Sequence, residues 1–318
     1  MIGCHTRYTT LILSKARACS SLPSNAPEFG SRKSGEMLRL AVCVSVAALV
    51  AAKPVTPNQN PELTAWEDEL IRARADVPVD PVGNKTYNRA KHAEDKCTRI
   101  RAPGAGIVGY YSLSWTEKDS APVNPDIGIA FSGWAEVYQA LSSGPMIDSL
   151  HGRKYLSLGG ANVNGHMTVE TLAGVAENID YVKDAGFAGI CFDIESTQGE
   201  NKYIPAMEAA FAATKAAGLK VIVTTSHSAP IKCGACKQVV ASWVQSDNID
   251  YLSPQLYSSG TEKQPQTVTS SGVSWDVWKG AKATILPSIV DGTHWQATQQ
   301  FFQNQGIPLG GYLQWAEC

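Results

Sequence analysis

The chain has 318 residues, 44% of them hydrophobic, and a formal net charge of -2 with a sequence pI near 6.3. That size supports one large core or two small ones, and the near-neutral balance argues against electrostatic capture of nucleic acid. Outside the N-terminal region no apolar run is long enough to span a bilayer. From Met37, a single positive charge at Arg39 precedes an apolar stretch over 40–52 that ends in Val50-Ala51-Ala52 and Lys53-Pro54. This is the layout of a signal peptide over 37–52, so the mature protein is expected to be secreted and free of the membrane. Residues 1–36 are basic, serine-rich and poor in acids. They read as an upstream extension ahead of a true start at Met37, with a cloning remnant or a transit segment as alternatives.

Residues 53–104 are proline-rich and charged, with one plausible helix over 62–75, and read as a linker or pro-like segment. Asn84-Lys85-Thr86 is a glycosylation acceptor, in keeping with secretion. After processing, Cys97, Cys191, Cys233, Cys236 and Cys318 remain. Cys233 and Cys236 could close a local disulfide, and Cys97 and Cys318 could tie the ends of the domain. Cys191 would then be a free thiol in the core, where such residues are common.

From residue 105 to the C-terminus the pattern alternates strand and helix. Strands are expected over 107–112, 127–131, 155–158, 189–195, 220–225, 251–257, 284–290 and 311–315. Helices are expected over 135–150, 169–185, 204–217, 237–245 and 295–305. The second of these carries Leu172, Val175, Ala176, Ile179 and Val182 at helical spacing. Eight strands alternating with helices imply an α/β fold, a compact (β/α)8 barrel without a large insertion domain. A doubly wound open sheet is the alternative, but its glycine-rich phosphate turn is missing. The connection after the first strand is too short and polar for a full helix.

The fourth strand is the most informative segment. It reads Gly189-Ile190-Cys191-Phe192-Asp193-Ile194-Glu195. Alternation puts Cys191, Asp193 and Glu195 on one face. Two carboxyls on an otherwise apolar strand are costly to bury, and pairs of acids in unequal surroundings can hold one protonated near neutrality. In a barrel, catalytic groups gather at the C-terminal ends of strands. Those ends offer Tyr111, Trp115, Trp134, Gly159, Gly160, Asn162, Asp193, Glu195, Thr225, His227, Gln255, Tyr257, Asp291, Gln314 and Trp315. Such a rim, rich in aromatics, amides and acids, suits a sugar better than a phosphate. His227 is expected to be a satisfied strand-end residue, and His166 and His294 solvated loop residues. No residue set has metal-ligand spacing, and no cofactor is expected.

Four segments resemble the family 18 glycoside hydrolases, the chitinases and their relatives. The fourth strand is similar to that family's Asp-Gly-x-Asp-x-Asp-x-Glu signature. Tyr155-Leu156-Ser157-Leu158-Gly159-Gly160 is similar to its Ser-x-Gly-Gly strand, Gln255-Leu256-Tyr257 to its sixth-strand motif, and Gly310-Gly311-Tyr312-Leu313-Gln314-Trp315 to its closing strand. The resemblance runs from about residue 106 to 315. It implies hydrolysis of β-1,4-linked N-acetylglucosamine polymers by a substrate-assisted retaining route. Glu195 would be the general acid, Asp193 would orient the substrate acetamide, and Tyr257 would hydrogen-bond its oxygen. Trp315 would floor the site, with Tyr111, Gly160 and Gln255 among the substrate-binding residues. The partner would be a polysaccharide or oligosaccharide, and the protein a monomer. The family's first two signature acids fall at Ala188 and Cys191, and the acid after the sixth-strand Tyr at Ser258. These departures imply slower turnover and an altered pH profile. They also keep open a weak or silent chitinase-like lectin; an endo-β-N-acetylglucosaminidase would use the same groups. Short loops suggest a shallow, open cleft.

Overall fold

A computed structural model describes residues 101–115, 121–143, 147–197 and 200–315. The extension, signal peptide, helix 62–75, glycosylation acceptor, Cys97 and Cys318 lie outside the described residues.

Strands β1 (Ile107–Leu113), β2 (Ile127–Phe131), β3 (Arg153–Gly159), β4 (Gly189–Asp193), β5 (Lys220–Ser226) and β6 (Tyr251–Gln255) pair in parallel and in sequence. The seventh position is two short pieces, β7 (Thr284–Ile285) and β8 (Ser288–Ile289), both paired to β6. The single strand expected over 284–290 is broken because Pro287 has no N–H to give the ladder. Its carbonyl still accepts from the Leu313 N–H at 3.0 Å. β9 (Gly311–Gln314) pairs β8 on one side and β1 on the other, closing an eight-position barrel. The open-sheet alternative is therefore excluded.

The helices are α1 (Val137–Ser143), α2 (Val169–Asp184), α3 (Glu200–Ala216), α4 (Cys236–Gln245) and α5 (Trp295–Asn304). α2 begins at Thr168, whose hydroxyl accepts from the Thr171 N–H while the Thr171 side chain accepts from the Thr168 N–H. This reciprocal cap is worth about 1 kcal/mol. Leu172, Val175 and Val182 are its buried stripe. The helix expected over 135–150 is instead α1 and a separate 3-10 turn at Ile147–Ser149, with Gly144-Pro145 in the sequence between them. Among the described residues no helix joins β1 to β2, and β6 is followed by a 3-10 turn at Trp275–Trp278. Both tryptophans are buried, at 5% and 1% exposure.

Strand alternation divides the apolar residues into two cores. Outward positions such as Val108, Ile190, Phe192, Val221, Val223 and Leu252 join the helices. Inward positions Tyr111, Ile127, Ile129, Phe131, Tyr155, Cys191, Ile222, Tyr251, Leu286 and Leu313 fill the barrel. Cys191 is a buried free thiol, as expected. Cys233 and Cys236 sit at the start of α4 with Cα atoms 5.3 Å apart, placed for a local disulfide. His294 departs from the sequence expectation. It is 5% exposed, lying between the Gly292–His294 turn and α5, and its burial holds its pKa below the usual histidine value. No described helix is long and apolar enough to cross a membrane.

Gly159 joins the fold to the mouth of the barrel. Its φ is +105°, and a Cβ there would collide with the carbonyl oxygen of Asp193 on the adjacent strand. Gly159→Ala is expected to cost on the order of 2 kcal/mol, from left-handed strain plus displacement of β4. Urea unfolding of the two proteins checks this; an unchanged midpoint would contradict the close packing of β3 on β4.

Candidate active site

All the strands of the barrel run the same way, so residues at or just beyond their C-terminal ends meet at one mouth. Asp193 is the last residue of β4, and Glu195 lies two residues beyond it rather than within the strand. Gln255 ends β6, Tyr257 follows two residues later, and Trp315 is the first residue after β9. Gly160 follows the end of β3. Seven residues proposed from sequence thus reach one region, although Tyr111 enters from within β1.

The acids are more enclosed than the short loops suggested, at 4% exposure for Asp193 and 5% for Glu195. Buried carboxyls need donors. The Gln255 side-chain amide donates to Asp193 Oδ1 at 3.0 Å, and the Ser226 hydroxyl donates to Glu195 Oε2. Ser226 was missed in the sequence. The inward parity of Ile222, Thr224 and Ser226 along β5 was the signal that could have found it. The Gly160 N–H donates to the Asp193 carbonyl at 3.1 Å, which ties the third-strand turn to the acid strand. Beyond Glu195, its carbonyl accepts from the Ile231 N–H at 2.8 Å, and Thr197 N–H donates to the Lys232 carbonyl at 2.9 Å. The acid-bearing loop is therefore pinned on both sides. Ser196 in that loop pairs its hydroxyl with His166 Nδ1 at 2.8 Å, so His166 is an ordered partner of the loop rather than a solvated residue.

Aromatic rings form the opposite wall. Tyr257 stacks on Trp315, with centroids 5.5 Å apart and planes 23° from parallel. Tyr111 and Phe131 each meet Trp315 edge-on, at 5.4 Å. Gly260 closes the remaining side, where a Cβ would collide with Nε1 and Cδ1 of the indole. The turn that carries Gly260 is organised by Glu262, whose carboxylate accepts from the N–H groups of Ser258, Ser259 and Gly260 at 2.8, 2.6 and 2.9 Å. Burial pushes the Glu262 pKa up, but those N–H donors outweigh it and hold the pKa below the usual value. Trp115 is 59% exposed and reaches Phe131 edge-on at 5.8 Å, extending the aromatic surface outward.

The Tyr257 hydroxyl is buried and, among the described residues, has no hydrogen-bond partner. Its neighbours include Tyr111, Asp193, Glu195 and Cys191; burial first, then these groups, raise its pKa. Tyr257 is therefore a neutral donor within the electrostatic reach of two acids. Cys191, one inward step below Asp193, is likewise held neutral, chiefly by burial and then by Asp193.

The rest of the expected rim does structural work. Trp134 packs against the outer core. Asn162 Oδ1 accepts from the N–H groups of Asn164 and Gly165 at 2.8 and 2.9 Å. Asp291 Oδ1 accepts from the Thr293 N–H at 2.8 Å. His227 is satisfied as expected, Nε2 meeting Gln266 Oε1 at 3.2 Å. Among the described residues no cluster of His, Cys, Asp and Glu could hold a metal ion.

No family profile and no curated protein match the chain. Solved structures do. A chitinase from Chromobacterium violaceum ATCC 12472 is 14% identical with a TM-score of 0.39, over 58% of this chain and 68% of that one. A chitinase from Ipomoea carnea is 13% identical with a TM-score of 0.40, over 66% of this chain and 94% of that one. The copper homeostasis protein CutC from Streptococcus agalactiae is 10% identical with a TM-score of 0.39, over 67% of this chain and 99% of that one. Likenesses this distant leave the chemistry to be argued from the residues themselves.

The Cys191 thiol supplies a test of the site's burial. Its folded pKa lies well above the ordinary 9.0 expected after unfolding. Between those values the unfolded chain has lost a proton that the folded one keeps, so stability falls as pH rises past about 9. Cys191→Ala removes this contribution. Urea unfolding at pH 8 and pH 10.5 should therefore show a smaller alkaline loss of stability for the variant than for the parent. Equal losses would mean that the thiol is not enclosed beneath the acids.

Proposed function

We propose that the protein is a glycoside hydrolase acting on β-1,4-linked N-acetylglucosamine polymers, chitin or its oligosaccharides, by substrate-assisted retaining catalysis. One observation carries the reading: Asp193, Glu195, the unpartnered Tyr257 hydroxyl and the Trp315 ring converge at one barrel mouth. Two acids, one neutral donor and one aromatic face are the set that a sugar with an acetamido group requires.

In this mechanism the reacting sugar lies on Trp315. The Tyr257 O–H donates to the acetamide oxygen and aims it at the anomeric carbon. Ser226 occupies Glu195 Oε2, leaving Oε1 to hold the proton. Glu195 gives that proton to the glycosidic oxygen as the bond to the anomeric carbon breaks. The acetamide oxygen bonds to that carbon, and positive charge spreads onto the acetamide nitrogen, which Asp193 stabilises. Glu195 then takes a proton from water, whose oxygen displaces the acetamide and restores it with overall retention. No protein nucleophile is needed. Tyr111, Gly160 and Gln255 flank this site as further candidate substrate-binding residues.

One observation favours a second reading, a weak or silent chitin-binding lectin. Cys191 and Ala188 stand where the resembled signature has acids, and the Cys191 thiol is neutral. An endo-β-N-acetylglucosaminidase acting on glycoprotein glycans would use the same groups. We further propose a secreted monomer with a Cys233–Cys236 disulfide, a reading supported by the hydrophobic leader at 40–52 and the spacing of the two cysteines.

Incubating the protein with chitin oligosaccharides, with products read by mass spectrometry, tests the enzyme against the lectin. Glu195→Gln should lower turnover about 100-fold or more while leaving oligosaccharide binding in place. Parent-like turnover in the variant would remove Glu195 from the proton-transfer role. Binding without turnover in the parent protein would favour the lectin.

A further inference from the structure

A buried chain of polar groups crosses the upper barrel from one side of the mouth to the other. Ser253 Oγ lies 2.6 Å from the Leu286 carbonyl and 2.8 Å from Ser288 Oγ. Ser288 Oγ lies 3.1 Å from the Tyr111 hydroxyl, which also bonds Thr224. Thr224 Oγ1 lies 3.3 Å from Gln255 Nε2, and the same nitrogen lies 3.0 Å from Asp193 Oδ1. All of these side chains are 6% exposed or less.

The two ends fix the direction of every bond. A peptide carbonyl can only accept, so Ser253 donates to Leu286 and must accept from Ser288. Ser288 then accepts from Tyr111, and Tyr111 from Thr224. Having used its proton, Thr224 must accept from Gln255. An amide nitrogen can only donate, so both N–H bonds of Gln255 are committed, one to Thr224 and one to Asp193. This orientation is the one Asp193 needs, because an ionised carboxylate can only accept. Reversing the amide would leave an oxygen facing both Thr224 and the carboxylate.

We infer that Gln255 is the positioning residue for Asp193, an amide clamp anchored across the barrel through Thr224, Tyr111, Ser288 and Ser253. The inference rests on the function proposed above in assigning Asp193 to the acetamide, and it moves Gln255 from contacting sugar to holding an acid. Tyr111 follows it: its proton is committed to Ser288, so its O–H does not serve a substrate.

Two variants and two readouts test this. Gln255→Met keeps the volume and removes the donor. It should lower kcat on chitin oligosaccharides about ten- to a hundredfold with KM nearly unchanged. Gln255→Glu places a second carboxyl against Asp193, so the pair is accommodated only when it shares a proton. Its activity should be confined to more acidic pH than the parent's. A rise in KM with an unchanged pH profile would overturn the inference and return Gln255 to the substrate. The second readout does not need turnover: the carboxyl 13C titration of Asp193 in parent and Gln255→Met, with thermal melts to confirm folding. The midpoint should rise in the variant as the donor to the charged form is lost; an unmoved midpoint overturns the clamp. A parent protein without chitinolytic activity would sink the proposed function, while the titration would still judge Gln255.

Discussion

The enclosure of two carboxyl groups at the mouth of an apolar barrel is the constraint from which the rest of the architecture follows. Each must be hydrogen-bonded or be kept neutral, since an unpaired buried charge is costly. The strands meet this demand together. Reading inward positions toward the mouth, β4 passes from Gly189 and Cys191 to Asp193, and β5 from Ile222 to Thr224 and Ser226. β6 passes from Tyr251 to Ser253 and Gln255, and the seventh position from Leu286 to Ser288. On these strands the interior thus changes from apolar to polar at one level, just above Cys191, while Leu113 and Phe131 keep the β1 and β2 side apolar. Below that level packing holds the barrel; above it, hydrogen bonds orient the acids.

The aromatic wall meets the complementary demand. Trp315 is fixed by a stacked Tyr257, by edge-on Tyr111 and Phe131, and by the bare backbone of Gly260. A ring held on several sides costs little further ordering when a ligand lies on it, and a rigid floor suits a flat-faced sugar. Tyr257 belongs to both halves of the site. Its ring is part of the wall, and its buried hydroxyl has no hydrogen-bond partner among the described residues. A buried donor beside two acids, with no protein partner of its own, is a group that a polar ligand entering the site would satisfy.

The barrel was legible because period-two apolar runs and helical stripes alternate cleanly from residue 105 onward. The strand ends were less so. Propensity does not reveal that Glu195 sits beyond the last ladder bond of β4, or that Pro287 divides the seventh position. Asp193, Glu195, Tyr257 and Trp315 were readable because polar and aromatic residues at the ends of apolar strands are conspicuous. Ser226, Thr224, Ser253 and Ser288 were not, because a serine or threonine on a strand is unremarkable until the register shows what it faces. His166 and His294 were misjudged for a related reason: their partners come from segments distant in sequence, Ser196 for the first and the Glu262-Lys263 segment for the second.

The central claim is that the substrate's own acetamide is held between Tyr257 and Asp193 for attack on its anomeric carbon. A crystal structure of the Glu195→Gln protein with a bound chitin tetrasaccharide tests it most directly. The account predicts the acetamide oxygen about 3 Å from Tyr257 Oη, turned toward the anomeric carbon of a sugar lying on Trp315, with the acetamide N–H facing Asp193. A sugar bound away from Trp315, or an acetamide directed out of the barrel, would contradict it.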